Sequence, residues 1–272
     1  MIQPKPAINT AIGEKPELAW VPVTAIRIDE SYQRELKEKR VTQILADFTW
    51  AHFGSVMLVR QSDGTFTCFD GQHRVEAARR HPAIQQVPAA IVELDQPRDE
   101  AGAFLGVNVN RTAISTVEKY HAGIEAGDPE MMAVCTVLGE AGCEVIESRG
   151  IKPAANRTAA VTAVQRSIKT YGDAAVISAC RTLVAAWPKD AGALHAVMIQ
   201  ALARLYRNNR KHIDEARMVS KLTAKDRKIL TADAETLRKI GGGDATASVA
   251  KVLVEIYNKS LQQGQIQIGA NR

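Results

Sequence analysis

The chain of 272 residues has few aromatic side chains: three Trp, five Tyr and five Phe, 5% of the total. Cysteine is equally sparse. Cys68, Cys135, Cys143 and Cys180 are never closer than eight positions and form no C-x-x-C pair. That spacing excludes a zinc knuckle and a dithiol redox motif, and the apolar residues around each cysteine predict four buried, reduced thiols. No apolar run approaches the roughly 20 residues that cross a bilayer, so no membrane partner is expected. Residues 1–19 carry Pro4, Pro6 and Pro16 but no apolar stretch. The expectation is a flexible N-terminus, no secretory signal and a cytoplasmic location. With 46% apolar residues the chain is built to bury a core without metal or disulfide support.

Charge is unevenly placed. Residues 1–150 hold 15 Lys or Arg against 21 Asp or Glu, and residues 151–272 hold 20 against 9, so a net of −6 is followed by one of +11. Such asymmetry makes DNA the expected partner, bound through the backbone by Arg204, Arg207, Arg210, Lys211, Arg217 and Lys221. On one helix, Arg204, Arg207 and Lys211 would share a face. The same charges read equally as a solvated helix face, or as a face that docks on the acidic half.

The hydrophobic pattern predicts a strand over Val21–Ile28, a helix from Leu36 to Phe48, and a hairpin of Val56–Val59 with Thr65–Phe69. A helix then runs to His81, followed by a strand over Val87–Leu94 whose Pro88 favours an edge or strand-start position. Further on, Ser115-Thr116-Val117-Glu118 forms a capping box and Asp128-Pro129 opens another helix. Five or six helices fit between Thr158 and Tyr257. The fold class expected is α+β, a small α/β domain over residues 20–147 followed by a basic all-helical domain over 153–260. A flexible tail is expected at 261–272. Trp20, Trp50 and Trp187 read as core or interface anchors, and His52 and His121 as surface or satisfied core residues.

The residues with most chemistry lie at a strand-to-helix junction, Phe69-Asp70-Gly71-Gln72-His73-Arg74. Gly71 permits a sharp turn, and the first backbone N–H groups of the following helix have no intrahelical acceptor. With the positive end of the helix dipole they form an anion site, and Arg74 could fork onto a phosphate. The plainer reading is an ordinary turn with Asp70 capping the helix and Arg74 paired to a carboxylate. His73 and Asp70 are the candidates for acid–base chemistry, with no catalytic residue assigned. No metal ligand set is read from spacing, although Asp29, Glu30, Asp70 and Glu76 are the carboxylates that could surround the pocket.

Residues 20–120 resemble the ParB/sulfiredoxin-like superfamily, most closely the ParB-like proteins of phages and bacteria that carry the string DGQHR, here Asp70 to Arg74. Three blocks match in order: Ser31-Tyr32-Gln33-Arg34, Gly71 to Ala77, and Asn108-Val109-Asn110-Arg111. The resemblance implies a ParB/sulfiredoxin-like first domain that binds a nucleoside triphosphate, CTP or ATP, or another phosphate ligand. Arg34, Gly71, Gln72, His73, Arg74, Asn108 and Arg111 would form the site. It also implies association with DNA and a homodimer. Val107 stands where ParB proteins have an acidic residue beside magnesium, which weakens the expectation of that metal. Glu76 replaces an arginine, and Gln72 replaces the reactive cysteine of sulfiredoxins. The alternative reading is an enzyme, a metal-dependent nuclease or a nucleotide-dependent phosphotransferase, using the same pocket.

Overall fold

The structure, a computed structural model, describes residues 10, 12, 14–29, 35–94, 99, 102–103, 106–107, 113–148 and 154–269. The chain divides into two compact units, Met1–Thr112 and Ala113–Arg272. The mixed α+β class expected from the sequence is what is found.

In the first unit, β1 (Glu17–Pro22) is followed by a short 3-10 turn (Val23–Ala25), β2 (Ile26–Ile28), α1 (Glu38–Ala46) and α2 (Trp50–Phe53). The hairpin β3 (Val56–Arg60) and β4 (Phe66–Asp70), α3 (Gln72–Arg80) and β5 (Gln86–Val92) come next. The strands form one sheet in the order β1-β5-β3-β4-β2, antiparallel between β1 and β5 and between β3 and β4, parallel elsewhere. The single strand expected over Val21–Ile28 is therefore two, on opposite edges of the sheet. Pro88 also sits differently. Strand β5 is interior, but its ladder with β3 begins only at Ala89, so Pro88 has no missing donor on that side. Val87, Ala89 and Ile91 alternate inward and pack with Leu58, Cys68, Val75 and Ala78, which places α3 over one face of the sheet.

The second unit opens with α4 (Thr116–Glu125) and α5 (Pro129–Glu140), then a two-residue parallel bridge of β6 (Glu144–Val145) and β7 (Arg157–Thr158). Six helices follow: α6 (Val161–Tyr171), α7 (Asp173–Ala186), α8 (Ala196–Asn208), α9 (Glu215–Thr223), α10 (Arg227–Gly241) and α11 (Ala245–Asn258). Both arms of the capping box at Ser115 and Glu118 are made, and Asp128 accepts from the Glu130 and Met131 amides ahead of α5. These two helices were expected in the first domain. Instead Val117, Tyr120, Val134, Val137 and Leu138 bury into one core with Val176, Cys180, Leu183 and Leu202. The change of charge sign near Ser148 thus does not mark the division between units.

Burial corrects other expectations. Cys68, Cys143 and Cys180 are buried, whereas Cys135 on α5 is exposed. Trp20 and Trp50 are 57% and 48% exposed and meet edge to face with ring centroids 5.2 Å apart. Trp187 is tied down by its Nε1–H, which donates to the Lys225 carbonyl at 3.0 Å. His52 is exposed, as expected of a surface residue, and His121 Nε2 lies 2.9 Å from the Ile146 carbonyl. The flexible tail expected from 261 onward is not what the described residues up to 269 form, for Ile266 is only 1% exposed within the helical core. No helix among the described residues is long and apolar enough to cross a membrane.

Candidate phosphate site and basic residues

Strand β4 ends at Asp70, and Gly71 turns the chain into α3 with φ 105° and ψ 18°, a region that disfavours every residue with a side chain. A β-carbon at Gly71 would also lie 2.8 Å from Val56 Cγ1 and 3.1 Å from an Arg74 guanidinium nitrogen. Both dihedral angle and crowding require glycine here. The helical ladder starts with the Arg74 and Val75 amides donating to the Gly71 carbonyl, so the Gln72 and His73 amides precede it at the positive end of a nine-residue helix.

Arg74 is committed inward. One guanidinium nitrogen donates to the carbonyls of Phe53 (2.9 Å) and Ser55 (2.7 Å), and the other meets Asp70 Oδ2 at 3.1 Å. The Arg74 side chain is 19% exposed and that of Asp70 14%. Gly54, with φ 65°, flanks the same guanidinium, and a β-carbon there would stand 3.3 Å from it. The plainer reading of Arg74, pairing with a carboxylate, is the one the geometry carries, and the residue at the N-cap of α3 is Gly71. Arg74 therefore builds the turn: it fastens the α2–β3 connection to the strand-to-helix junction.

His73 Nε2 accepts a hydrogen bond from the Lys37 amide at 3.1 Å. A nitrogen that accepts carries no proton, so the neutral ring holds its proton on Nδ1. Partial burial, and then the charges of Arg40 and Lys37, hold the imidazole below its ordinary pKa. Glu76, the acidic replacement in the motif, is neutralised by Arg79 (3.4 Å) and Arg80 (2.8 Å). Arg80 also grips Glu38 at 2.7 and 3.0 Å, joining α3 to α1 and lowering the Glu38 pKa. Arg34, Asn108, Arg111 and Glu30 lie outside the described residues. The structure accordingly brings together Gly71, Gln72, His73, Arg74 and Asp70 of the expected site.

A groove of about 490 Å³ opens in the same unit, with Met57, Phe69, Ile91 and Val107 among its walls. Its lining cations, Lys15 and Arg60, stand among Glu14, Glu17 and Glu93, and Arg60 is ion-paired to Glu17. That charge balance does not favour phosphate. Among the described residues, no three His, Cys, Asp or Glu side chains are grouped so as to hold a metal ion.

In the helical unit the six expected DNA contacts separate into two groups. Arg204 is 8% exposed and donates to the Gly269 carbonyl at 3.1 Å. Arg217 donates to the carbonyls of Tyr257 and Lys259, and Lys221 Nζ reaches Lys259 O at 3.1 Å. Cations at the last carbonyls of α11 cap its negative end. Arg207, Arg210 and Lys211 are exposed. The predicted stripe of Arg204, Arg207 and Lys211 does not form, because α8 ends at Asn208 and Arg204 faces the core side.

Two solved structures of the chromosome-partitioning protein ParB from Caulobacter crescentus, C-terminally truncated, are similar to this chain. The one complexed with CTP-γ-S has 15% identity and a TM-score of 0.35, and the alignment covers 88% of this chain and 99% of that one. The one complexed to the centromeric parS site has 14% identity and a TM-score of 0.30, covering 86% and 98%. No curated protein matches the chain. A family model described as "Family of unknown function (DUF6551)" matches residues 28–241, and with well over half its length included the chain belongs to that family.

Proposed function

We propose that the chain is a DNA-associated protein of the ParB-like kind. Its first unit binds the phosphates of a nucleotide, or another phosphate ligand, at the start of α3, and its helical unit holds the DNA backbone. The observation that supports this reading is the turn at Gly71: the DGQHR string of the sequence resemblance lies at a crowded, left-handed strand-to-helix junction. The Gln72 and His73 amides at the dipole's positive end, with the Nδ1–H of His73 as a further donor, suit an anionic oxygen. Arg74 supports this cradle as a positioning residue instead of a ligand, since its donors already serve Asp70 and two carbonyls. A nucleoside triphosphate, CTP or ATP, is the ligand class the resemblance implies, and Val107 supplies no carboxylate for its magnesium. On the helical unit, Arg207, Arg210 and Lys211 are the cations open to phosphates, making contacts that fix position without reading sequence.

Calorimetric titration with CTP, ATP and GTP, with and without magnesium, tests the pocket. Gln72→Glu is the diagnostic control. A carboxylate in the first turn suits the helix dipole and keeps the fold, yet repels phosphate. Nucleotide binding that is lost in Gln72→Glu is expected. A folded chain that takes up neither a nucleotide nor pyrophosphate would overturn the reading.

A further inference from the structure

The helical unit holds an extended stretch of its own chain as another protein would hold a peptide. After α11 the chain returns across the ends of α8 and α11, and two asparagines clamp consecutive residues. Asn258 receives the Ile266 amide on Oδ1 and donates from Nδ2 to the Ile266 carbonyl, both at 2.9 Å. Asn209 does the same for Gln267, at 2.9 and 2.7 Å. A primary amide offers one acceptor and two donors, so each asparagine mimics the edge of a neighbouring strand. Backbone groups of consecutive extended residues project to opposite sides, which is why one clamp comes from α11 and the other from the end of α8. Asn208 and Arg204 continue the row onto the carbonyls of Ile268 and Gly269.

Side chains supply the selectivity. Ile266 is 1% exposed, Gln267 is exposed, and Ile268 is half-buried against the same core, the two-residue alternation of a strand on a surface. Gly269 has φ 75°, and a β-carbon there would collide with the Asn208 side chain. The groove therefore selects Ile-x-Ile-Gly. The segment is joined to α11 through Lys259–Gly264, in which Ser260, a non-glycine residue, is held at φ 69°. Straightening this linker would relieve Ser260, and each of these contacts is available to the same segment arriving from another molecule.

We propose that this asparagine-lined groove is a peptide-recognition site, filled in cis by Gln265–Gly269 and able to take the same segment from a second copy of the chain. Two measurements on the full chain test it. In the first, a fluorescein-labelled peptide of residues 263–269 is titrated by anisotropy against Ile266→Asp, which ejects the resident segment, or against Gly269→Val should that variant not fold. Saturable binding is expected, at least tenfold weaker when Asn209→Ala is added. No binding by a folded variant would overturn the groove. In the second, the exposed Gln262 and Gln263 are deleted so that the segment no longer reaches its own groove. Light scattering at one concentration should show twice the mass of the unaltered chain. An unchanged mass would overturn exchange between copies.

Discussion

Asp70 and Arg74 close an ion pair of 3.1 Å across the turn at Gly71, both largely withdrawn from solvent, while the same guanidinium holds the Phe53 and Ser55 carbonyls. One side chain thus fixes the direction in which α3 leaves the sheet. Arg74→Ala leaves a mostly buried carboxylate without this partner and strips two carbonyls of their donor. A loss of about 3 kcal/mol is expected from breaking such a pair. Urea denaturation followed by tryptophan fluorescence reads it, since Trp20 and Trp50 lie in this unit. Arg74→Lys should recover little, because an ammonium lacks the planar fork.

Gly71→Ala and Gly64→Ala separate backbone strain from crowding. Both positions have positive φ, 105° and 82°, but only at Gly71 does a β-carbon meet other atoms within 4 Å. Gly71→Ala should be the more destabilising by roughly 1–3 kcal/mol, the range for forcing atoms into a filled space. Equal midpoints for the two variants would show that crowding at Val56 does not matter.

His73 gives the first unit a pH dependence with a definite sign. Its folded pKa is lowered by burial and by Arg40 and Lys37, so the unfolded chain binds the proton more readily. Stability should be full above the unfolded value near 6.5 and fall as pH drops through it, levelling below the folded pKa. Protonation also removes the acceptor of the Lys37 amide. An NMR titration of the ring gives the folded pKa, and His73→Gln should abolish this part of the denaturation profile between pH 7.5 and 5.

DNA binding should weaken with salt, and replacing Arg207, Arg210 and Lys211 together by Ala should lower the slope of log K against log salt by about three. Arg204→Ala is expected to act differently. It loosens the Gly269 carbonyl and lowers stability without changing the salt slope. Anisotropy of a labelled duplex from 50 to 300 mM salt distinguishes them.

Thiol titration checks the core. One of the four cysteines, Cys135, should react with an aromatic disulfide in the folded chain. Burial pushes Cys68 up to about 12 and Cys143 to about 11, so both remain thiols as well as being covered. Four should react in denaturant.

Much of the fold could be read from local pattern. Capping chemistry at Ser115 and Asp128 announced two helices because it is satisfied within four residues. The hairpin of β3 and β4 and the turn before α3 were legible for the same reason. The splitting of Val21–Ile28 into two edge strands was not, since periodicity reports that a residue alternates but not which neighbour it pairs with. Cys135 and the two exposed tryptophans show the same limit: an apolar context in sequence does not say how much of a helix or strand face is covered.

The sequence by itself determined the mixed class, the helical character of the second half and the DGQHR junction, all set by backbone preference and short-range hydrogen bonding. Only the tertiary structure decided what the charges do. A guanidinium reaches carbonyls and carboxylates many positions away, so Arg74 became the fastening of a turn, Arg217 and Lys221 became caps on α11, and Arg204 a clamp on Gly269. Three-dimensional packing likewise assigned α4 and α5 to the helical core and seated Ile266 beneath two asparagines. Buried apolar area and long-range donors and acceptors are shared among distant segments, and their sharing is fixed only when those segments meet.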